Sequence, residues 1–235
     1  MTAAPKARAL KNDRKPATTL ATSVYDRLRA DVLGGLLAPG EKLRSDFLRE
    51  RYQTGVSPIR EALSQLSSDG LVVREDQKGF RVAAVSRSDL LDLVKTRCWL
   101  EEVALRESIA HGGMEWEEGL VLAFHRLSRF PRPDRQAPPG DVAHWEDLHR
   151  AFHMALVGGC GSRWLAASCA ELFDKTERYR RLAASGVPQR NELEEHRGIL
   201  DASMAGNLAE VTKLLGEHYG RTVDVILSSG FKLMD

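Results

Sequence analysis

The chain has 235 residues, 43% of them hydrophobic and 29% charged, with a formal net charge of +1. That length and composition suit a globular chain with one or two cores and, with no run of about 18 apolar residues, exclude a membrane-spanning helix. The three cysteines, Cys98, Cys160 and Cys169, are widely spaced and form no CxxC, which points to buried free thiols in a reducing cytoplasm rather than a disulfide framework.

The small net charge hides an asymmetry. Residues 1–85 carry 15 Lys and Arg against 10 Asp and Glu, or +5, and the remainder carries 19 against 23, or −4. A basic head on an acidic body implies that only the head meets a polyanion. Residues 1–18, with Lys6, Arg8, Lys11, Arg14 and Lys15 but no apolar segment, read as a disordered basic arm and not a secretory signal.

From about Thr19, Val24, Tyr25, Leu28, Val32 and Leu33 recur at helical spacing until Gly34-Gly35. After the turn Leu37-Ala38-Pro39-Gly40, Ser45 is the expected N-cap of a short helix, Asp46 to Tyr52. Thr54-Gly55 leads to a third helix with Pro58 in its first turn and Ile59, Ala62, Leu63 and Leu66 as its buried stripe, closed by Gly70. Leu71 to Arg74 and Phe80 to Ala83 read as two strands around Asp76-Gln77-Lys78-Gly79. Three short helices and a terminal hairpin make a winged helix-turn-helix over 19–85, whose third helix enters the major groove of DNA. A small helical domain with no DNA partner is the alternative at this point.

Beyond residue 86, helical periodicity covers about 87–110, 114–127, 142–157, 162–183, 190–204 and 207–228. Pro131 to Pro139 marks a loop inside this all-α antiparallel bundle, which occupies 87–230. His149 and His153 are four apart and share one helix face, and His196 and His218 lie on two later helices. Bundles build metal sites from side chains on facing helices, so these four are candidate ligands. His111, His125 and His144 read as ordinary surface histidines.

The segments "LLAPGEKL", "SPIREALSQLSSDGLV" and "GFRV" resemble the N-terminal domain of GntR-family transcriptional regulators. "RCWLEEVALRESIA", "HRAFHMAL" and "EHRGILDASMAGNLAEV" resemble the helical FCD ligand-binding domain of the fatty-acid-regulator subfamily. Together the two resemblances cover roughly residues 20–228. They imply a homodimer on a double-stranded operator, with Arg44, Ser45, Ser57, Arg60, Lys78 and Gly79 as DNA contacts. The family usually has "VSRTP" where this chain has "TGVSP", so Val56 replaces an arginine that would read guanine.

FCD domains with a metal carry an Asp-xxx-His pair and two later histidines. His153, His196 and His218 fall on the histidine positions and His149 falls on the aspartate. Four imidazoles leave a divalent site near +2, favour zinc or nickel and attract an anion; alternatively His149 does not ligate. The resemblance also points to Arg97, and secondarily to Arg178, as anchors for a small carboxylate, with a dicarboxylate suggested by two separate cationic points. An Arg97–Glu101 pair at i, i+4 is the other reading of Arg97.

The expectation is a ligand-responsive repressor. A purely structural metal without effector is one alternative. A metal-dependent hydrolase is another, but "HRAFH" has Arg150 where a zinc-protease helix needs its glutamate base; no catalytic residue is expected.

Overall fold

A computed structural model describes residues 20–133, 137–183, 190–231 and 233. The basic arm expected over 1–18 and the middle of the proline loop lie outside the described residues. The chain forms two compact units, one comprising 1–32 and 40–83, the other 33–39 and 84–235.

In the first unit, α1 (Leu20–Leu33) buries Val24, Leu28 and Val32, successive residues of one i, i+4 stripe. Helix α2 (Ser45–Tyr52) packs on α3 (Val56–Ser68), whose buried residues are Ile59, Ala62, Leu63 and Leu66 as the pattern predicts. The end of α3 is a Schellman motif: Leu71 N–H donates to the Leu66 carbonyl and Gly70 N–H to that of Ser67, with Gly70 at φ +70°. Strands β2 (Val72–Glu75) and β3 (Gly79–Val82) pair antiparallel, Val73 opposite Arg81.

Two local expectations are corrected. Ser45 is the first residue of α2 and not its cap; Arg44 holds the cap position in extended geometry with no side-chain bond. A third strand, β1 (Lys42–Leu43), pairs with the outer side of β3, so the sheet order is β1-β3-β2. Two residues are too few to show alternation; backbone bonds from Gly40 N–H to Val82 and from Val82 N–H to Glu41 define the strand instead.

The second unit is the expected helical bundle: α4 (Arg87–His111), α5 (Gly113–Arg129), α6 (Pro139–Val157), α7 (Arg163–Ala183), α8 (Glu192–Met204) and α9 (Leu208–Ser228). Side-chain caps start four of them. Ser86 Oγ accepts from Asp89 N–H, Ser162 Oγ from Leu165 N–H, Asn191 Oδ1 from Glu194 N–H, and Asn207 Oδ1 from Glu210 N–H. Helix α4 packs against α7 and α9, α5 against α6, and α8 against α9, around Leu105, Leu120, Phe152, Cys169, Ile199 and Val211. Cys98 is half-buried and Cys160 and Cys169 are buried; all three are free. No described helix is long and apolar enough to cross a membrane.

Candidate metal centre

Each candidate ligand sits on the core-facing stripe of its helix. On α9 the stripe runs Val211, Leu215, His218, Thr222, so the helix delivers His218 to the interior by the same spacing that buries its leucines. The four histidines, drawn from α6, α8 and α9, are buried to 4% exposure or less, and one nitrogen from each lies within 4.8 Å of all the others. His149 Nε2 and His153 Nε2 are 3.2 Å apart. A tetrahedral ion with metal–nitrogen bonds of about 2.0–2.1 Å needs its ligand nitrogens roughly 3.3 Å apart, so this pair is spaced as two ligands of one ion.

The hydrogen bonding also fits a metal. His196 Nε2 is buried without a hydrogen-bond partner, a costly condition that an ion in the centre would relieve. His218 turns Nδ1 to Glu195 Oε2 at 2.8 Å, which leaves Nε2 for coordination. His153 Nδ1 lies 3.2 Å from the Tyr219 hydroxyl, which donates to Glu101 Oε2 and accepts from Arg97 at 2.7 Å. Burial first, and neighbouring guanidinium and imidazole charges after it, hold all four imidazoles well below the usual histidine value. They are therefore neutral at pH 7, the form that binds metal.

His149 lies in this cluster beside the other three, its ring stacked on Trp145 at 4.9 Å. The carboxylate that the resemblance would put at position 149 is on α7 instead: Glu177 Oε1 is 3.8 Å from His149 Nδ1. Four carboxylates, Glu101, Glu177, Glu192 and Glu195, and three guanidiniums, Arg97, Arg180 and Arg190, surround the imidazoles. A divalent ion would bring that total to about +1, less positive than a four-imidazole sphere taken alone.

Arg97 lines the cavity beside the histidines, and its Nε rests on Glu101 Oε1 at 2.7 Å, the i, i+4 pair that the spacing offered. Arg178 is buried but does not line that cavity; its charged neighbours are Tyr179 and Asp89. Arg180, which sequence reasoning missed, does line it. Two residues on an α-helix differ by roughly 200°, so Arg178 and Arg180 face opposite ways. The stripe Cys169, Phe173, Thr176, Glu177, Arg180 continues the apolar face of α7 at i, i+4, i+7, i+8, i+11, and that spacing is the signal for Glu177 and Arg180. The cavity offers only about 10 Å³ of free space, about one water's worth.

His111, His125 and His144 are exposed and outside the cluster. Arg150 pairs with Asp174 at 2.8 Å. In the first unit, Arg44 and Ser45 open α2, Ser57 and Arg60 stand on the first turns of α3, and Lys78 and Gly79 lie at the β2–β3 turn, all exposed. Among the described residues Arg60 has no ion-pair partner, and Val56 is 44% exposed at the start of α3.

Residues 20–82 match the family described as bacterial regulatory proteins, gntR family, and residues 92–221 match the FCD domain. The chain is 38% identical over 213 residues to the HTH-type transcriptional regulator BphR of Paraburkholderia xenovorans, covering 90% of this chain and 87% of that one. It is 36% identical over 207 residues to the HTH-type transcriptional repressor GlaR of Escherichia coli, covering 86% and 93%. The crystal structure of a GntR regulator from Rhodococcus sp. RHA1 superposes with a TM-score of 0.64 at 22% identity, over 88% of this chain and 97% of that one, and so shares its fold.

Proposed function

This chain belongs to the GntR family of bacterial regulatory proteins, with an FCD domain behind its DNA-binding unit, and from that premise we propose that it is a metal-dependent, ligand-responsive repressor. It is a DNA-binding transcriptional regulator and not an enzyme. The finer reading is that residues 19–85 hold the operator and 87–230 hold a zinc or nickel ion on His149, His153, His196 and His218, to which a small carboxylate binds. The observation that carries this reading is the buried four-histidine cluster with an unsatisfied His196 nitrogen and arginines lining the same cavity. A divalent ion would supply a Lewis-acidic point for one carboxylate, and the guanidiniums of the lining would orient the rest of the acid.

In the DNA-binding unit, Arg60 and the N-terminal turn of α3 at Ser57 would enter the major groove. Arg44, Ser45, Lys78 and Gly79 would meet phosphates. A homodimer in the cytoplasm, with two such units on a two-fold operator, completes the reading. The acid changes DNA affinity only through different affinities for two conformations. Helix α7 is suited to carry that difference: Glu177 and Arg180 line the cavity, while Tyr179 bonds Asp89 and Ser86 at the start of α4.

The test combines metal analysis of the purified protein with fluorescence anisotropy on a duplex selected in vitro. Roughly one bound ion per chain, and a DNA affinity that changes when carboxylates are titrated in, are the expected results. A metal-free protein, or DNA binding indifferent to every acid and to chelation, overturns the reading. The tightness of the cavity favours a second reading, a purely structural metal; then chelation lowers Tm while added acids leave it unchanged.

A further inference from the structure

Helix α4 is apolar on two opposite sides. Its buried side carries Leu90, Ala104, Leu105 and Ser108 and faces the interior of the bundle. Trp99 is nine residues from Leu90 and nine from Ser108. Nine residues are about two and a half turns, so Trp99 points directly away from that interior. It is 58% exposed, and Leu91 at 45% and Val103 at 42% continue an outward strip, Leu91, Lys95, Trp99, Val103, in four-residue steps. Lys95 Nζ lies 4.9 Å from the centre of the Trp99 ring. An exposed tryptophan inside an apolar strip marks a protein contact, because tryptophan is enriched among the residues that anchor interfaces.

The charges along the strip identify what covers it. Asp92 and Arg106, both exposed, stand seven residues before and seven residues after Trp99. Lys95 stands four before it and Glu102 three after. When two copies of one helix cross antiparallel about a two-fold axis, positions equally far on either side of the crossing meet. With the crossing at Trp99, Asp92 of each copy faces Arg106 of the other, and Lys95 faces Glu102. Every charged contact then joins unlike charges, whereas a parallel pair would set each charge on its own kind. Within one chain Arg106 Nη2 reaches Glu102 Oε1 at 3.1 Å, and both side chains stay about half exposed, so the pair can extend across the axis. The strip is complementary to itself.

We propose that the outward strip of α4 is the centre of the homodimer interface, occupied by the same strip of a second copy of this chain. Trp99 packs on its two-fold mate, and the Asp92–Arg106 and Lys95–Glu102 pairs set an antiparallel register. This rests on the reading that the chain works as a homodimer, and it assigns that dimer a face and an anchor.

The experiment is sedimentation equilibrium of the full chain, which reads the dimer dissociation constant. Wild type sediments at twice 26.1 kDa. Trp99→Ala raises the dissociation constant by about thirtyfold or more, the cost of losing an anchor residue. Asp92→Arg and Arg106→Asp each raise it by about tenfold, because each sets like charges against each other across the axis. The double exchange, Asp92→Arg with Arg106→Asp, restores the unlike pairs and returns the constant to within about threefold of wild type, a non-additivity expected only of residues in contact. All three positions are exposed, and that recovery also guards against a misfolded single variant. A dimer as tight in Trp99→Ala as in wild type overturns the α4 interface and leaves a homodimer built on another face. Single exchanges that weaken the dimer without recovery in the double overturn the antiparallel register. If wild type is monomeric throughout the concentration range, the homodimer reading itself falls and takes this one with it.

Discussion

Glu177 Oε1 lies 3.8 Å from His149 Nδ1 and brings a carboxylate of α7 to the edge of the histidine cluster. His149 Nδ1 has no hydrogen-bond partner, so this carboxylate acts on it through charge alone, favouring a cation bound to the imidazole.

Glu177→Gln keeps the shape and removes the charge. Zinc affinity, read by competition with a chromophoric chelator, is expected to fall about tenfold or more, the usual loss for a partner of a ligating histidine. An unchanged affinity would mean that Glu177 serves Arg180 alone. His149→Ala should cost more than Glu177→Gln if His149 is itself a ligand.

Much of this protein was legible before any coordinates. Gly70 closes α3 where the chain turns, and the four-residue spacing of His149 and His153 puts both in one cluster. The polar support of the site was harder to see. Glu101, Glu177 and Arg180 are residue types that usually face solvent, and their burial depends on helix rotation within the bundle. Arg178 and Arg180 stand roughly 200° apart on α7, so which of them lines the cavity is set by the rotation of the helix in the bundle. Strand β1 has no periodic signal because it exists through the partner it pairs with.

The depressed titration of the histidines sets the pH dependence. An unfolded histidine titrates near 6.5, whereas these four, disfavoured as cations first by burial, take up protons only well below that. Below pH 6.5 the unfolded chain therefore binds more protons than the folded one, and stability is lost as pH falls. Each histidine contributes up to about 1.4 kcal/mol per pH unit. Denaturation of chelator-stripped protein should show a plateau above pH 6.5 and a fall below it, with zinc moving the fall to lower pH. A flat profile from pH 7.5 to 5.5 would contradict the burial of neutral imidazoles.

Val56, exposed at the start of α3, offers methyl groups where an arginine would offer a fork of donors. Val56→Arg is expected to shift the preferred base at one position of each half-site toward guanine, a discrimination of about 1–3 kcal/mol. Selection of bound duplexes from a random pool would register it. Lys78→Ala should instead weaken all sequences alike and flatten the salt dependence by about one unit, the mark of a phosphate contact.

The proposed coupling between cavity and operator makes the sharpest demand on α7. Tyr179 is buried, donates its hydroxyl to Asp89 and accepts from Ser86 N–H at 3.4 Å, while Arg180, the next residue, faces the metal cavity. Ser86 caps α4 and follows the last strand of the DNA-binding unit by only a few residues. Tyr179→Phe removes the hydroxyl and little else, so metal content and acid affinity should stay near wild type. DNA affinity should become far less sensitive to acid, because coupling is a free energy separate from either binding event. Linkage supplies an internal check: if DNA no longer responds to acid, acid affinity must no longer respond to DNA. Parallel titrations of wild type and Tyr179→Phe, with and without operator, test both halves, and an undiminished response in the variant would move the transmission away from α7.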